Sequence, residues 1–348
     1  MGERPDTRSP PQGGLPPVEW LGGAVLQVAC DESGWSGRNL LDLATPVFTH
    51  ASVDLSVDEA AELMATLRSG TDCSPRELKS GQLLRGPGAG EKLDWLLASL
   101  RGRAHVHLVD KEYFLVTRLV DLFLAEPSYA AGTHLTQDQR PAAIALYRAR
   151  HSTGRDWEAF LGAFVALLRT KRQDEQERRA LQLFFQARDA LAARGLGGPA
   201  AGVLDGLGET GVRTVLTRMT HDRSIPPPLE PILPALAETV LFWSAAQQRV
   251  LIVHDEQSAL TADRLRRLQR VLEGASRASA RWPSPADASP PAASPLAGLI
   301  TVNSKDDARV QVADLLAGVA RRSAEAGDDR TLGPILSRTS LRDTEPSS

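Results

Sequence analysis

Short apolar runs and helically spaced stretches alternate along this chain, and three of the runs end alike. Positions 24–30, 105–109 and 250–254 are dense in Val, Leu, Ile and Ala and read as buried strands. A further short run at 299–303 and the Leu-, Val-, Phe- and Thr-rich stretch 40–53 supply more strands. Helical spacing governs 58–69, 93–100, 115–124, 262–272 and 308–321. It also governs the long block from 137 to 248, where Trp157, Phe160, Leu161, Phe164 and Leu168 recur three and four apart. That stretch is expected to run as one helix to Ala193, with Gly195 as its stop. "SIPPPLEPILP" then breaks the pattern before a helix from Ala235.

Strands and helices at both ends with a helical block between them predict an α/β core carrying a large helical insertion. The expected division is a disordered tail at 1–20, core at 21–126, insertion at 127–248, core again at 249–324, and a loose polar tail at 325–348. A Pro/Ala/Ser linker at 281–297 interrupts the second part of the core.

Three strands stop at an Asp followed by another charged residue: "VACDES" at Asp31 and Glu32, "HLVDKE" at Asp110 and Lys111, "LIVHDEQ" at Asp255 and Glu256. Adjacent carboxylates at the rim of an apolar sheet are costly unless something compensates them. In open α/β sheets, ligand sites form outside the carboxyl ends of strands. Asp is also common after strands as a turn former or helix cap, so both readings stand for each position. The last helix adds Asp307, Gln311 and Asp314 on one stripe, with Asp314 inside the apolar run "VADLLAGVA". A metal ion, a cap or an arginine such as Arg321 would offset that buried charge. In "PRELKSGQ", Glu77 and Lys79 stand two apart; an extended segment would point both to one side, and a solvated charged loop is the alternative. Clustered Asp and Glu without cysteine specify a hard cation, Mg²⁺ or Mn²⁺. Two such ions about 4 Å apart clamp the attacking and leaving oxygens of a phosphodiester.

"DES", "ELK", "VDK", "HDE" and "QVAD", in that order, together resemble the bacterial domain-of-unknown-function 3800 family, marked by an N-terminal DE and a C-terminal QxxD. The resemblance covers roughly 25–124 and 250–321 and leaves out the helical middle. It implies a ribonuclease H-like fold, with the DE on Asp31 and Glu32 and the QxxD on Gln311 and Asp314. By analogy with ribonuclease H-like sites, Glu77 and Asp255 complete the acids. Asp31, Glu77, Asp255 and Asp314 are then the metal-holding and catalytic carboxylates, Lys79 a catalytic cation, and Glu32, Asp110, Lys111, Asp307 and Gln311 supporting residues.

Composition refines this only slightly. Of 348 residues, 42% are hydrophobic and 24% charged, as in soluble globular proteins, and the net charge of −3 gives no global pull toward nucleic acid. Arginine outnumbers lysine and alanine is abundant, as in proteins of GC-rich bacteria. Arg264 and Arg267, on the helix after Asp255, are the candidates for tracking phosphates, with a solvated face as the alternative. The mixed charges at 169–179 read as a helix with ion pairs. His105 and His107 share a strand face and read as core histidines. Two cysteines, Cys30 and Cys73, offer neither a disulfide framework nor a zinc spacing, which fits the cytoplasm. The apolar run at 240–246 is too short to span a bilayer. The functional expectation is a divalent-metal-dependent nuclease acting on DNA or RNA. The alternative is a non-catalytic module that binds a protein partner or nucleic acid through the helical insertion. That insertion is also the expected surface of any homo-oligomer.

Overall fold

The computed structural model describes residues 14–17, 25–37, 40–69, 78–85, 88–170, 174–244, 248–279, 294–327 and 332–343. Along the chain run β1 (Gly14–Leu15), β2 (Val25–Ser33), β3 (Val47–Val53), α1 (Val57–Arg68), α2 (Ser80–Leu83), α3 (Ala89–Ser99), β4 (Ala104–Asp110) and α4 (Lys111–Leu124). A 3₁₀ segment, His134–Gln139, leads into α5 (Arg140–Arg148), α6 (Arg150–Thr153), α7 (Arg155–Arg169), α8 (Asp174–Ala192), α9 (Gly198–Gly206), α10 (Glu209–His221) and α11 (Ile232–Trp243). The remainder is β5 (Arg249–Asp255), α12 (Ala262–Ser279), β6 (Leu296–Val302) and α13 (Ala308–Glu325). The protein is thus mixed α/β. No helix among the described residues is long and apolar enough to cross a membrane.

The chain divides into two compact units. One comprises Met1–Gly34, Val47–Leu108 and Ala235–Ser340; the other comprises Trp35–Pro46, Val109–Pro234 and Leu341–Ser348. The first holds a mixed sheet of order β1-β6-β5-β2-β3-β4. β2 lies parallel to β5 and β5 parallel to β6, whereas β3 runs antiparallel to β2 and β1 antiparallel to β6. Because successive side chains alternate across a strand, Ala29, Ala51, Val53 and Val253 face one way. There they share a core with Val310, Ala313, Leu316, Ala317 and Ala320 of α13 and with Leu63, Met64 and Leu67 of α1. α1 begins at a capping box, in which Ser56 and Glu59 satisfy each other's backbone amides.

β2 extends beyond the expected 24–30. Antiparallel pairing with β3 carries it on, so that Asp31 stands opposite Ala51, Glu32 opposite His50 and Ser33 opposite Thr49. Gly34 ends it at φ +91°, where a Cβ would meet the Val47 carbonyl oxygen at 2.3 Å, so the turn requires glycine.

Both expected tails need correction. Gly14 and Leu15, placed in the disordered tail at 1–20, pair with Ile300 and Leu299. In the expected loose tail at 325–348, Leu332 and Leu341 are fully buried. Beside β4, the Val106 amide donates to the Ile335 carbonyl at 2.8 Å and the Ser337 amide to the Val106 carbonyl at 2.7 Å. A few well-spaced leucines suffice for this within a polar composition. The linker at 281–297 lies outside the described residues up to 293, and Leu296 onward belongs to β6.

The second unit contains helices α4 to α10; α4, expected within the core at 21–126, belongs to it, whereas α11 from Ala235 on, expected within the insertion at 127–248, belongs to the first unit. The expected single helix to Ala193 is instead two, because Thr170 turns extended at φ −63°, ψ 125° and closes α7. α7 and α8 join through Phe160 stacked on Phe184, ring centroids 5.6 Å apart, with Phe123 edge-on to Phe164. In α4, Arg118 and Asp121 form an ion pair of 3.0 Å in full burial.

Candidate functional site

The parallel register of β2 and β5 places Cys30 beside His254, and hence Asp31 beside Asp255, at the carboxyl ends of both strands. Alternation sends Asp31 and Asp255 toward α13. There Asp314 interrupts the apolar row Val312, Ala313, Leu315 and Leu316. Asp31 is 6% exposed. Burial, then the charges of Glu32, Asp314 and Asp255, push its carboxyl well above the usual carboxylate range. Three acids thus act on Asp31; among the described residues no cation is paired with it, and its Oδ1 accepts the Glu32 amide at 2.7 Å. Asp255 Oδ1 accepts the Ser304 amide at 2.9 Å, which ties the loop after β6 to the site.

Asp314 is paired with Lys79, whose Nζ lies 2.9 Å from Oδ2. Arg321, the alternative partner, turns to Glu325 at 2.6 Å and to Ser33. The segment bearing Lys79 is held close to α13. A Cβ on Gly318 would meet Ser80 Oγ at 2.3 Å, so Gly318 admits that approach. Glu77 lies outside the described residues.

The supporting residues have structural partners. Gln311 accepts from Arg68 at 2.6 Å and donates to the Lys305 carbonyl at 3.3 Å, bridging α1 and the loop before α13. Asp307 caps α13 and grips the Arg309 guanidinium at 2.7 Å. Burial pulls its carboxyl upward, but the Arg309 bonds and charge outweigh this and hold it below the usual range. In the second unit, Asp110 caps α4 through the Tyr113 amide at 2.9 Å and accepts the Tyr147 hydroxyl at 2.5 Å, so both its oxygens have partners. Lys111 is fully buried and donates to the Thr45 carbonyl. Arg264 bonds the Ala259 carbonyl at 2.9 Å and Arg267 pairs with Asp263 one turn away, so each is engaged on its own segment.

Behind the acids, on the opposite sheet face, lies a polar chain that the sequence does not announce. His254 Nδ1 donates to the Asp255 carbonyl at 2.9 Å. His254 Nε2 meets His50 Nε2 at 3.3 Å, with one proton between them, and His50 Nδ1 meets the Thr239 hydroxyl of α11 at 2.9 Å. Glu32 Oε1 accepts from Gln257 at 2.5 Å. Its Oε2 is buried without a hydrogen bond, 3.5 Å from His254 Nε2. His50 is held well below the usual imidazole range by burial and by the neighbouring histidines, so it is neutral at pH 7. His105 stacks on Phe242 at 4.0 Å and is lowered to about 3, chiefly by burial. His50 escapes a sequence reading because its strand neighbours become visible only once β3 is paired with β2.

The donors around Asp31 are all oxygens, which suits Mg²⁺ or Mn²⁺ better than softer metals. Among the described residues, no three His, Cys, Asp or Glu side chains stand as a ready-made metal cage. No known family model, curated protein or solved structure matches the chain.

Proposed function

We propose that the sheet is a ribonuclease H-like core and that the protein is a divalent-metal-dependent nuclease cleaving phosphodiester bonds in DNA or RNA. The observation that carries this reading is Asp31: a buried carboxyl crowded by three others, with no cation paired to it among the described residues. Asp31, Asp255 and Asp314 would hold Mg²⁺ or Mn²⁺, with Glu77 as a further ligand. The ion would offset the charge crowded around Asp31 and supply the positive charge that a phosphodiester needs as it is attacked. The protein's own part is positioning. The β2–β5 register sets Asp31 beside Asp255. The Ser304 amide fixes one Asp255 oxygen and leaves the other to bind. Lys79, on leaving Asp314, stands ready to meet a phosphate oxygen.

The Lys79–Asp314 pair favours a second reading, in which a lysine permanently replaces the metal and the protein is a non-catalytic module binding a partner through its helical unit. One experiment separates the two. Thermal melting with and without MnCl₂, and cleavage of single- and double-stranded DNA and RNA, are measured for wild type and Asp31→Asn. The nuclease reading expects Mn²⁺ to stabilise wild type alone, cleavage only by wild type, and an apo mutant at least as stable as wild type, since one of four crowded charges is gone. A wild type indifferent to Mn²⁺, or a mutant that cuts at the wild-type rate, overturns it.

A further inference from the structure

We propose that His50 and His254 are positioning residues for the acid site: their paired Nε2 atoms lock β3 to β5 behind the acids and set the angle at which Asp31 and Asp255 leave the sheet. This rests on the metal-binding reading of those acids.

The argument begins with alternation. Asp255 follows His254 directly, and Glu32 follows Asp31 directly, so each acid on the α13 face has a backbone neighbour in the polar chain on the other face. A twist of either strand that tilted an acid would tilt the neighbouring His254 or Glu32 the opposite way. Apolar packing resists such a twist weakly, because methyl groups slide past one another with little loss. Hydrogen bonds resist it strongly, because they have narrow distance and angle limits. The chain supplies bonds at this level of the sheet. His254 Nδ1 holds the backbone of Asp255 itself. His254 Nε2 and His50 Nε2 join β5 to β3, reaching past β2, which lies between them in the sheet. Thr239 fixes the far side of the His50 ring to α11, and Gln257 holds Glu32 from the loop after β5. Both imidazoles are fully buried, so neither bond competes with water.

The two ring nitrogens allow a test that a merely structural histidine would fail. An Asn side chain places its amide near the Nδ1 position and a Gln near the Nε2 position. His50→Asn therefore keeps the Thr239 contact and loses His254, whereas His50→Gln keeps His254 and loses Thr239. Thr239→Val removes the outer contact with little change of shape and serves as a second variant should either His50 substitution fold poorly. Mn²⁺ affinity is measured by calorimetry with MnCl₂ alone on folded protein, alongside melting temperature. The expected result is that His50→Asn weakens Mn²⁺ binding at least tenfold, while His50→Gln and Thr239→Val stay within about threefold of wild type, whatever their melting temperatures. Equal Mn²⁺ affinity in both His50 variants overturns the inference, whether both match wild type or both are weakened. Wild type that binds no Mn²⁺ removes the metal reading itself, and the positioning role with it; Asp31→Asn in the same series tells these failures apart.

Discussion

Lys79 and Asp314, 235 positions apart in the chain, meet at 2.9 Å between Nζ and Oδ2. The lysine side chain is 54% exposed, so the pair contributes at most about 1 kcal/mol to stability. If the site takes a metal as proposed, the larger effect of the pair is competition, since Asp314 cannot serve a metal and an ammonium equally. Lys79→Met should bind Mn²⁺ a few fold more tightly than wild type and lose little thermal stability. Calorimetric titration of both proteins checks this. Unchanged or weaker Mn²⁺ binding would show that Lys79 does not hold the carboxylate in reserve.

Metal affinity should climb with pH. Asp31 binds a cation only as a carboxylate, and burial with the surrounding acids keeps its proton on above the usual carboxylate range. In the apo protein the same group titrates higher when folded than when unfolded, so its charge lowers stability as pH rises through that range. Mn²⁺-induced stabilisation should therefore keep growing as pH rises beyond the range in which an ordinary carboxylate has lost its proton. A melting series at fixed MnCl₂ measures it, and a flat response would remove Asp31 as ligand.

Asp110 is assigned a structural role. Asp110→Ala removes the α4 cap and the acceptor of the Tyr147 hydroxyl, and should cost about 2 kcal/mol. Tyr147→Phe should cost about 1 kcal/mol, since only one bond is lost. Both variants should cleave in proportion to folded protein. Loss of cleavage by fully folded Asp110→Ala would return this acid to the chemistry.

Asp121 gives the second unit a pH dependence of known sign. Burial pushes its carboxyl up to about 6, against the pull of Arg118. Unfolded, it loses its proton near 3.8. Between those values the folded state holds more protons, so this group's contribution to stability falls by about 3 kcal/mol as pH rises from 4 to 6 and is level above. Asp121→Asn, which has the shape of the protonated carboxyl, should lack that slope and lie close to wild type near pH 4, where the folded Asp121 still holds its proton. Denaturant unfolding of both proteins at pH 4 and pH 7 checks the sign.

The sequence told most where one residue's neighbours are set by its own segment. Alternation and helical spacing located β5, β6, α1, α4 and α13 closely, and the three strand-end acids were visible as a recurring pattern. What it could not tell was where those strand ends lie in space. Asp31 and Asp110 look alike in the chain, yet one is crowded by acids and the other caps a helix beneath a tyrosine. The difference lies in long-range pairing: the β2–β5 register for Asp31, and the arrival of Tyr147 for Asp110. His50 shows the same limit, since its partners Thr239 and His254 are 189 and 204 positions away. The break at Thr170 was hidden for another reason, because the apolar spacing continues across it and only backbone direction changes.

The pairing of Gly14 and Leu15 with β6 bears on solubility. A bare sheet edge is a row of unmet amides and carbonyls that a second molecule can adopt as a template. β1 takes up that row beside Leu299 and Ile300, and Pro16 and Pro17, which follow it, have no amide hydrogen to offer a newcomer. Gly298 makes the fit possible, as a Cβ there would meet the Leu15 carbonyl at 2.7 Å. At the far side of the sheet, Ile335 and Ser337 lie along β4 in the same fashion. Trimming either segment as dispensable would expose a ready template, and the shortened protein would be prone to polymerise.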